Sequence, residues 1–253
     1  MLWNPGQYSK FARQRLQPGL DLIARLPEIA AERVVDLGCG TGELTELLAS
    51  RFPSAEVLGV DSSEEMLARA RQQPGARARY ERGDIATWAP LERVQVLFSN
   101  AAYQWLPSHA ELFTRLLSFV EDAGVFAAQM PRNFDAPSHA VMRELAMSSR
   151  FKGRIELRHE PVLSPQAYYD VLAAHAREVE IWETEYLHVL EGEDPVFEWT
   201  RGTALLPVYA ALEGEALEAF LTEYKQRLRA AYPRRPDGRT LFPFRRIFML
   251  ARR

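Results

Sequence analysis

Apolar positions in the first half of the chain switch repeatedly between two periods. Phe11, Leu16, Leu20, Ile23 and Leu26 recur at roughly helical spacing from Tyr8 to Leu26, where Pro27 stops the run. Arg33-Val34-Val35-Asp36-Leu37 is a short apolar run and predicts a buried strand. Glu43 to Arg51 returns to helical spacing, with Leu44, Leu47 and Leu48 on one face, and Pro53 bars its continuation. The alternation repeats with a strand at Glu56 to Val60 and a helix at Glu64 to Arg71, capped from Asp61-Ser62-Ser63. A weaker strand at Arg77 to Glu81, a strand at Val94 to Phe98, a helix at Ala110 to Val120 and a strand at Gly124 to Met130 follow. Such alternation predicts an α/β protein whose parallel sheet carries helices on both faces.

The rhythm changes after Met130. Ser138 to Ser149, Pro165 to His175, Pro195 to Tyr209 and Glu215 to Tyr232 read as helices. Arg177 to Val189 and Arg246 to Ala251 read as late strands, and Pro233 to Gly238 as a turn cluster. The expected organisation is one domain over 1–253. Its sheet core lies mainly at 30–131, with strands near 177–189 and 244–252. A helical cap is inserted among the late strands, at about 132–175 and 193–235.

Composition narrows the function classes. A chain of 253 residues with a net charge of −3 has no overall basic bias, which argues against nucleic acid as the main partner. Cys39 is the single cysteine, so no intrachain disulfide forms, and a reducing cytoplasmic setting fits. No apolar run reaches the length of a membrane span, and the N-terminus lacks the pattern of a signal peptide. The five histidines lack metal-ligand spacing, so no metal is expected. Arg69, Arg71, Arg77, Arg79 and Arg82 read as a solvated edge.

The chemistry concentrates in Asp36-Leu37-Gly38-Cys39-Gly40-Thr41-Gly42. Glycines after a strand allow a sharp turn and a close approach to a ligand. Asp61 ends the next strand, where a carboxylate accepts both hydroxyls of a ribose. A dinucleotide fingerprint needs a third glycine where this chain has Glu43. An acid at that helix N-terminus repels a pyrophosphate but raises no objection to a sulfonium cofactor without phosphates. Asp36 carries the same preference. Asp84, in Gly83-Asp84-Ile85 after the third strand, is a candidate acceptor for the adenine amine, with Ile85 and Met66 packing on the ring.

These residues resemble the class I S-adenosylmethionine-dependent methyltransferases, with a Rossmann-like, mostly parallel seven-stranded sheet. The resemblance sharpens elsewhere. The opening Trp3-Asn4-Pro5-Gly6-Gln7-Tyr8, the loop Asn100-Ala101-Ala102-Tyr103-Gln104-Trp105-Leu106-Pro107, Gln129-Met130-Pro131-Arg132-Asn133, Ser138 to Glu144 and Arg246 to Arg253 resemble the trans-aconitate 2-methyltransferase family nearly end to end. The resemblance implies methyl transfer from S-adenosylmethionine to one carboxylate of trans-aconitate, giving a monomethyl ester and S-adenosylhomocysteine. Arg132 and the basic segment 151–161 depart from the family pattern.

With the resemblance, the cofactor set becomes Tyr8 as a lid, Asp36, Gly38, Gly40, Asp61, Ser62, Met66, Asp84, Ile85, Asn100 and Ala101. The substrate set becomes Gln104 and Trp105 as positioning donors, with Asn133, His139, Arg143 and Arg246. His139 and Arg143 share a helix face by their spacing. Arg245 and Arg246 point to opposite faces of a strand, so one of them faces the site. A carboxylate is already ionised at neutral pH, so no residue is assigned as general acid or base. The competing readings are a methyltransferase for another small acid or small molecule, a non-catalytic S-adenosylmethionine-binding protein and a nicotinamide oxidoreductase, the last disfavoured by Glu43. A small-molecule polycarboxylate is the expected partner, and the expected state is a monomer or weak homo-oligomer.

Overall fold

A computed structural model describes residues 12–157 and 162–253. Seven strands form one mixed sheet in the order β3-β2-β1-β4-β5-β7-β6. They are β1 (Arg33–Leu37), β2 (Glu56–Asp61), β3 (Arg79–Arg82), β4 (Val94–Asn100), β5 (Val120–Pro131), β6 (Glu178–Leu190) and β7 (Thr240–Arg252). β1 to β5 pair in parallel, and β7 pairs antiparallel to β5. Chain order reverses at β1, between β2 and β4, which in open α/β sheets opens a ligand crevice at the strands' carboxyl ends.

The described helices are α1 (Ala12–Ala24), α2 (Glu43–Arg51), α3 (Glu64–Ala70), α4 (His109–Ser118), α5 (Pro137–Met147), α6 (Pro165–Ala173), α7 (Pro195–Arg201), α8 (Leu206–Ala211) and α9 (Gly214–Ala231). A 3-10 turn spans Tyr103–Trp105. The stretch expected as one helix from Pro195 to Tyr209 is two helices. The chain leaves helical hydrogen bonding at Gly202, and Pro207 lies in the first turn of the second piece.

The chain forms two compact units. The first comprises Leu16–Pro131, Val162–Thr184 and Arg246–Arg253. Its core packs Leu37, Leu97, Phe113, Phe126, Tyr168, Ile247 and Met249. α6 was expected in the cap but belongs to this unit, because Tyr168 and Leu172 are wholly buried in that core. Burial of its apolar face, not its place among late helices, decides where it packs.

The second unit comprises residues 12–15, 132–157 and 185–245. Its separate core contains Phe151, Trp199, Phe220, Tyr224, Phe242 and Phe244. Trp199 and Tyr224 are buried in this core. The start of α5 is held from both sides: the Ser138 N–H donates to the Tyr232 hydroxyl (3.1 Å), and the Tyr224 hydroxyl donates to the Ser138 carbonyl (2.9 Å).

Candidate functional site

Strand β1 delivers the glycine loop. The Gly38 and Cys39 N–H groups both donate to the Val60 carbonyl, at 2.8 and 3.1 Å, fastening the loop to the end of β2. Gly38 has φ of +80°, and an added Cβ would lie 2.3 Å from the Ala102 Cβ, so only glycine allows this approach. Gly40 also has positive φ (+55°), but an added Cβ would meet nothing within 4 Å. Its Cα side borders open space, the property required of a loop that lies against a ligand.

Asp61 does more than end its strand. One carboxylate oxygen accepts the Gly40 N–H and the other accepts the Ser63 N–H, each at 2.9 Å. Ser63 in turn caps α3 by accepting the Met66 N–H at 3.3 Å. Met66 is half-buried and Ser62 exposed.

Asp36 is almost wholly buried and accepts the Thr45 hydroxyl at 2.7 Å. Burial pushes its carboxyl up to about 7; the Thr45 hydrogen bond opposes that rise and the nearby Asp61 charge adds to it. The folded protein therefore holds a proton on Asp36 that the unfolded chain releases near pH 4. Below the unfolded value this group does not penalise folding. Its contribution to stability is lost as pH rises toward and through about 7. Asp36→Asn keeps an acceptor for Thr45 without the charge. The variant's thermal midpoint, relative to the parent, is expected to rise between pH 5 and pH 8; a difference that does not change with pH would refute the buried, proton-holding carboxyl.

The loop after β3 is locally satisfied. The Asp84 carboxylate is exposed and accepts the Ala86 N–H at 2.9 Å, closing its own turn. Ile85 is half-buried, and its carbonyl accepts from Arg115 at 2.9 Å, while the same guanidinium donates to the Trp88 carbonyl at 2.8 Å.

At the end of β4 the backbone bends. Ala101, not a glycine, takes φ of +56°, and its N–H donates to the Gln129 carbonyl at 2.8 Å. Gln104 donates from Nε2 to the Ala101 carbonyl at 2.6 Å, so it stabilises this bend. That corrects its expected role as a free donor: the amide oxygen, not the nitrogen, is left buried without a partner among the described residues. Asn100 likewise keeps a buried, unpartnered Oδ1. Trp105, expected as a donor in the site, is 63% exposed.

Sequence reasoning missed the device that holds this turn. His109 is buried, and its Nε2 faces the carbonyls of Tyr103 and Leu106, both at 3.0 Å, while Nδ1 faces the Tyr168 hydroxyl at 2.5 Å. The two carbonyls can only accept, so Nε2 carries a proton toward them, and Nδ1 pairs with the Tyr168 hydroxyl. The Tyr168 partner lies 59 residues away, and no local pattern announces it.

Arg246 is 4% exposed, whereas Arg245 is exposed, as the period of two requires. The strand register places Asp36 level with Phe98, Phe98 level with Ala127, Asn100 level with Gln129, and Pro131 level with Arg246. Level neighbours, and residues two apart on a strand, share a face. Asp36, Asn100, Gln129 and Arg246 therefore lie on one face of the sheet, opposite the face carrying Ala128, Met130, Ile247 and Met249. Strands buried on both faces are normally apolar throughout. This polar row is a departure that packing alone does not call for.

The remaining candidates lie in the second unit. Asn133 was expected to bind substrate, but both ends of its amide are engaged by the Arg245 backbone: Nδ2 donates to the carbonyl at 2.8 Å and Oδ1 accepts the N–H at 2.9 Å. It acts as a clasp that mimics a strand pairing. His139 was paired with Arg143 as an anion-facing surface. Burial, with the Arg143 charge, lowers its pKa to about 4, so at neutral pH it supplies a hydrogen bond rather than a charge. The Arg143 guanidinium sits 3.7 Å from the Phe134 ring centroid, a cation–π arrangement. Tyr8 lies outside the described residues. Among the described residues no group of three or more His, Cys, Asp or Glu side chains is placed to hold a metal, and no helix is long and apolar enough to cross a membrane.

A methyltransferase domain model matches residues 34–124. A trans-aconitate 2-methyltransferase from Streptomyces coelicolor is 46% identical, over 99% of this chain and 86% of that protein. Among solved structures, the YcgJ protein of Bacillus subtilis superposes with a TM-score of 0.59 at 15% identity, covering 93% of this chain and 97% of that one. Haemonchus contortus phosphoethanolamine N-methyltransferase 2, solved with phosphomonomethylethanolamine and S-adenosylhomocysteine, gives 0.54 at 17% identity, covering 93% and 52%. The structural likenesses establish the fold, and the near full-length identity establishes kinship: the chain belongs to the trans-aconitate 2-methyltransferase family.

Proposed function

We propose that this chain transfers the methyl group of S-adenosylmethionine to a carboxylate of trans-aconitate, giving a monomethyl ester and S-adenosylhomocysteine. The observation that carries the reading is a buried guanidinium, Arg246, on the same sheet face as Asp36 at the end of the glycine-loop strand. A chain that buries a cation there is suited to an anionic acceptor, and its relative from Streptomyces coelicolor is named for such an acid.

The residues present fit the cofactor. Gly40 borders open space, and Asp61 has acceptor capacity left after its two backbone hydrogen bonds. Asp61 takes the ribose hydroxyls. Gly38 and Gly40 let the backbone come close, with Asp36 and Ser62 beside them. Met66, Asp84 and Ile85 form the adenine side, and Asn100 and Ala101 border the methionine portion. When bound, the cofactor supplies an electrophilic methyl on a positively charged sulfur.

The protein's task toward the acid is desolvation and alignment. The acceptor is ionised without help, so no residue removes a proton. Water around the carboxylate must be replaced by fixed donors, and arginine's planar fork suits this. Positioning of this kind contributes several kcal/mol to lowering the barrier. Within the helical unit, Arg143 is a candidate anion contact. A small-molecule partner and a cytoplasmic setting go with this reading.

The test is a panel of di- and tricarboxylic acids with methyl-labelled cofactor, products identified by mass spectrometry. Trans-aconitate is expected to be methylated with the highest kcat/KM. Binding of the cofactor without transfer to any acid would leave a non-catalytic binding protein, and faster transfer to another acid would rename the substrate.

A further inference from the structure

The polar row holds a residue that neither the glycine loop nor the arginine explains. Gln129 is wholly buried on β5. Arg246 Nη1 lies 3.5 Å from its Oε1. An arginine can only donate, so this contact fixes the orientation of the amide: oxygen toward the guanidinium, nitrogen away from it. That nitrogen has no hydrogen-bond partner among the described residues. Buried polar groups are almost always paired, and an exception calls for a ligand or a functional reason. Leucine or methionine would fill the position at no such cost.

We propose that Gln129 is a specificity-determining residue of the acid site, its Nε2 donating to a carboxylate oxygen of the acceptor. The proposal rests on the methyltransferase reading above and deepens it. Arg246 supplies charge, and Gln129 supplies a neutral donor with a fixed direction. Its own oxygen, turned to the guanidinium, is kept from repelling the anion. A neutral amide donor discriminates sharply between ligands that satisfy it and ligands that leave it buried and unpaired.

The experiment is calorimetric titration of trans-aconitate into protein saturated with S-adenosylhomocysteine, for the parent, Gln129→Met and Gln129→Glu. Gln129→Met removes the donor without adding charge. Gln129→Glu keeps the volume and an acceptor for Arg246, and carries the test should the methionine variant fail to fold. Both variants are expected to raise the Kd for trans-aconitate by about 30-fold or more, while affinity for S-adenosylhomocysteine stays within about threefold. Steady-state KM should divide the same way, rising for the acid and not for the cofactor. Unchanged acid affinity in the variants, with the parent binding normally, would overturn the assignment to Gln129 alone. It would leave the amide a structural group of the sheet. A parent protein that binds the cofactor product but no polycarboxylate would overturn both this proposal and the acid-methylating reading.

Discussion

Asp61→Ala is expected to weaken S-adenosylmethionine binding by about 100-fold or more, the largest single loss at the cofactor site. A carboxylate offers about four lone-pair directions. Two are spent on the Gly40 and Ser63 N–H groups at 2.9 Å, leaving two for the ribose hydroxyls. Hydrogen bonds to a charged group are worth about 1.5–3 kcal/mol each, so losing the ribose pair alone accounts for a change of this size. Alanine would also release the glycine loop, since Gly40 is held to Asp61 by its N–H. Asparagine is expected to be little better, because its NH2 would face one of the two backbone N–H donors. Calorimetry with S-adenosylmethionine and its demethylated product checks this. Affinity within about threefold of the parent would mean that the ribose is held elsewhere and that Asp61 serves only the loop.

Arg246→Met is expected to lower kcat/KM for trans-aconitate by about 100-fold or more and to leave the KM for S-adenosylmethionine nearly unchanged. Truncating a buried, hydrogen-bonded charge typically costs about 2–5 kcal/mol when the partner charge stays buried. On the proposed reading, the stranded partner is the acceptor's carboxylate. Removing one member of a buried polar pair also costs stability, so the thermal midpoint of the variant is followed beside its kinetics, and the KM split is what distinguishes an acid anchor from a structural group. Arg246→Lys should not restore activity, since an ammonium is a compact point charge without the planar fork. Steady-state kinetics with each substrate varied in turn provides the check. Equal increases in both KM values would make Arg246 a support of the sheet edge rather than an anchor for the acid.

Much of the fold was legible in the chain. All of the first six helices and strands after Pro27 were placed to within two residues, because each is written in the pattern of a few neighbouring positions. The glycine loop was legible for the same reason: positive φ at Gly38, Gly40 and Gly42 is a local demand that glycine alone meets cheaply. The orientation of Arg246 also followed from strand alternation. The errors have a common form. α6 was given to the wrong unit because an apolar helix face does not say which core it will join. Asn133 looked like a ligand because its amide is the same whether it meets a substrate or the Arg245 backbone 112 residues away.

The sequence by itself determined the alternation of strands and helices, the bend after β1, the acid at the end of β2 and the kinship of the chain. Each of these is a demand made on a residue by its near neighbours. Tertiary structure alone decided that Asp36 is buried enough to hold its proton, that His109 and Tyr168 secure the turn after β4, and that Gln129 stands beside Arg246 with its amide nitrogen left over. Those facts arise where strands far apart in the chain are brought level, since desolvation and hydrogen-bond partnership belong to the assembled sheet and not to any stretch of the chain.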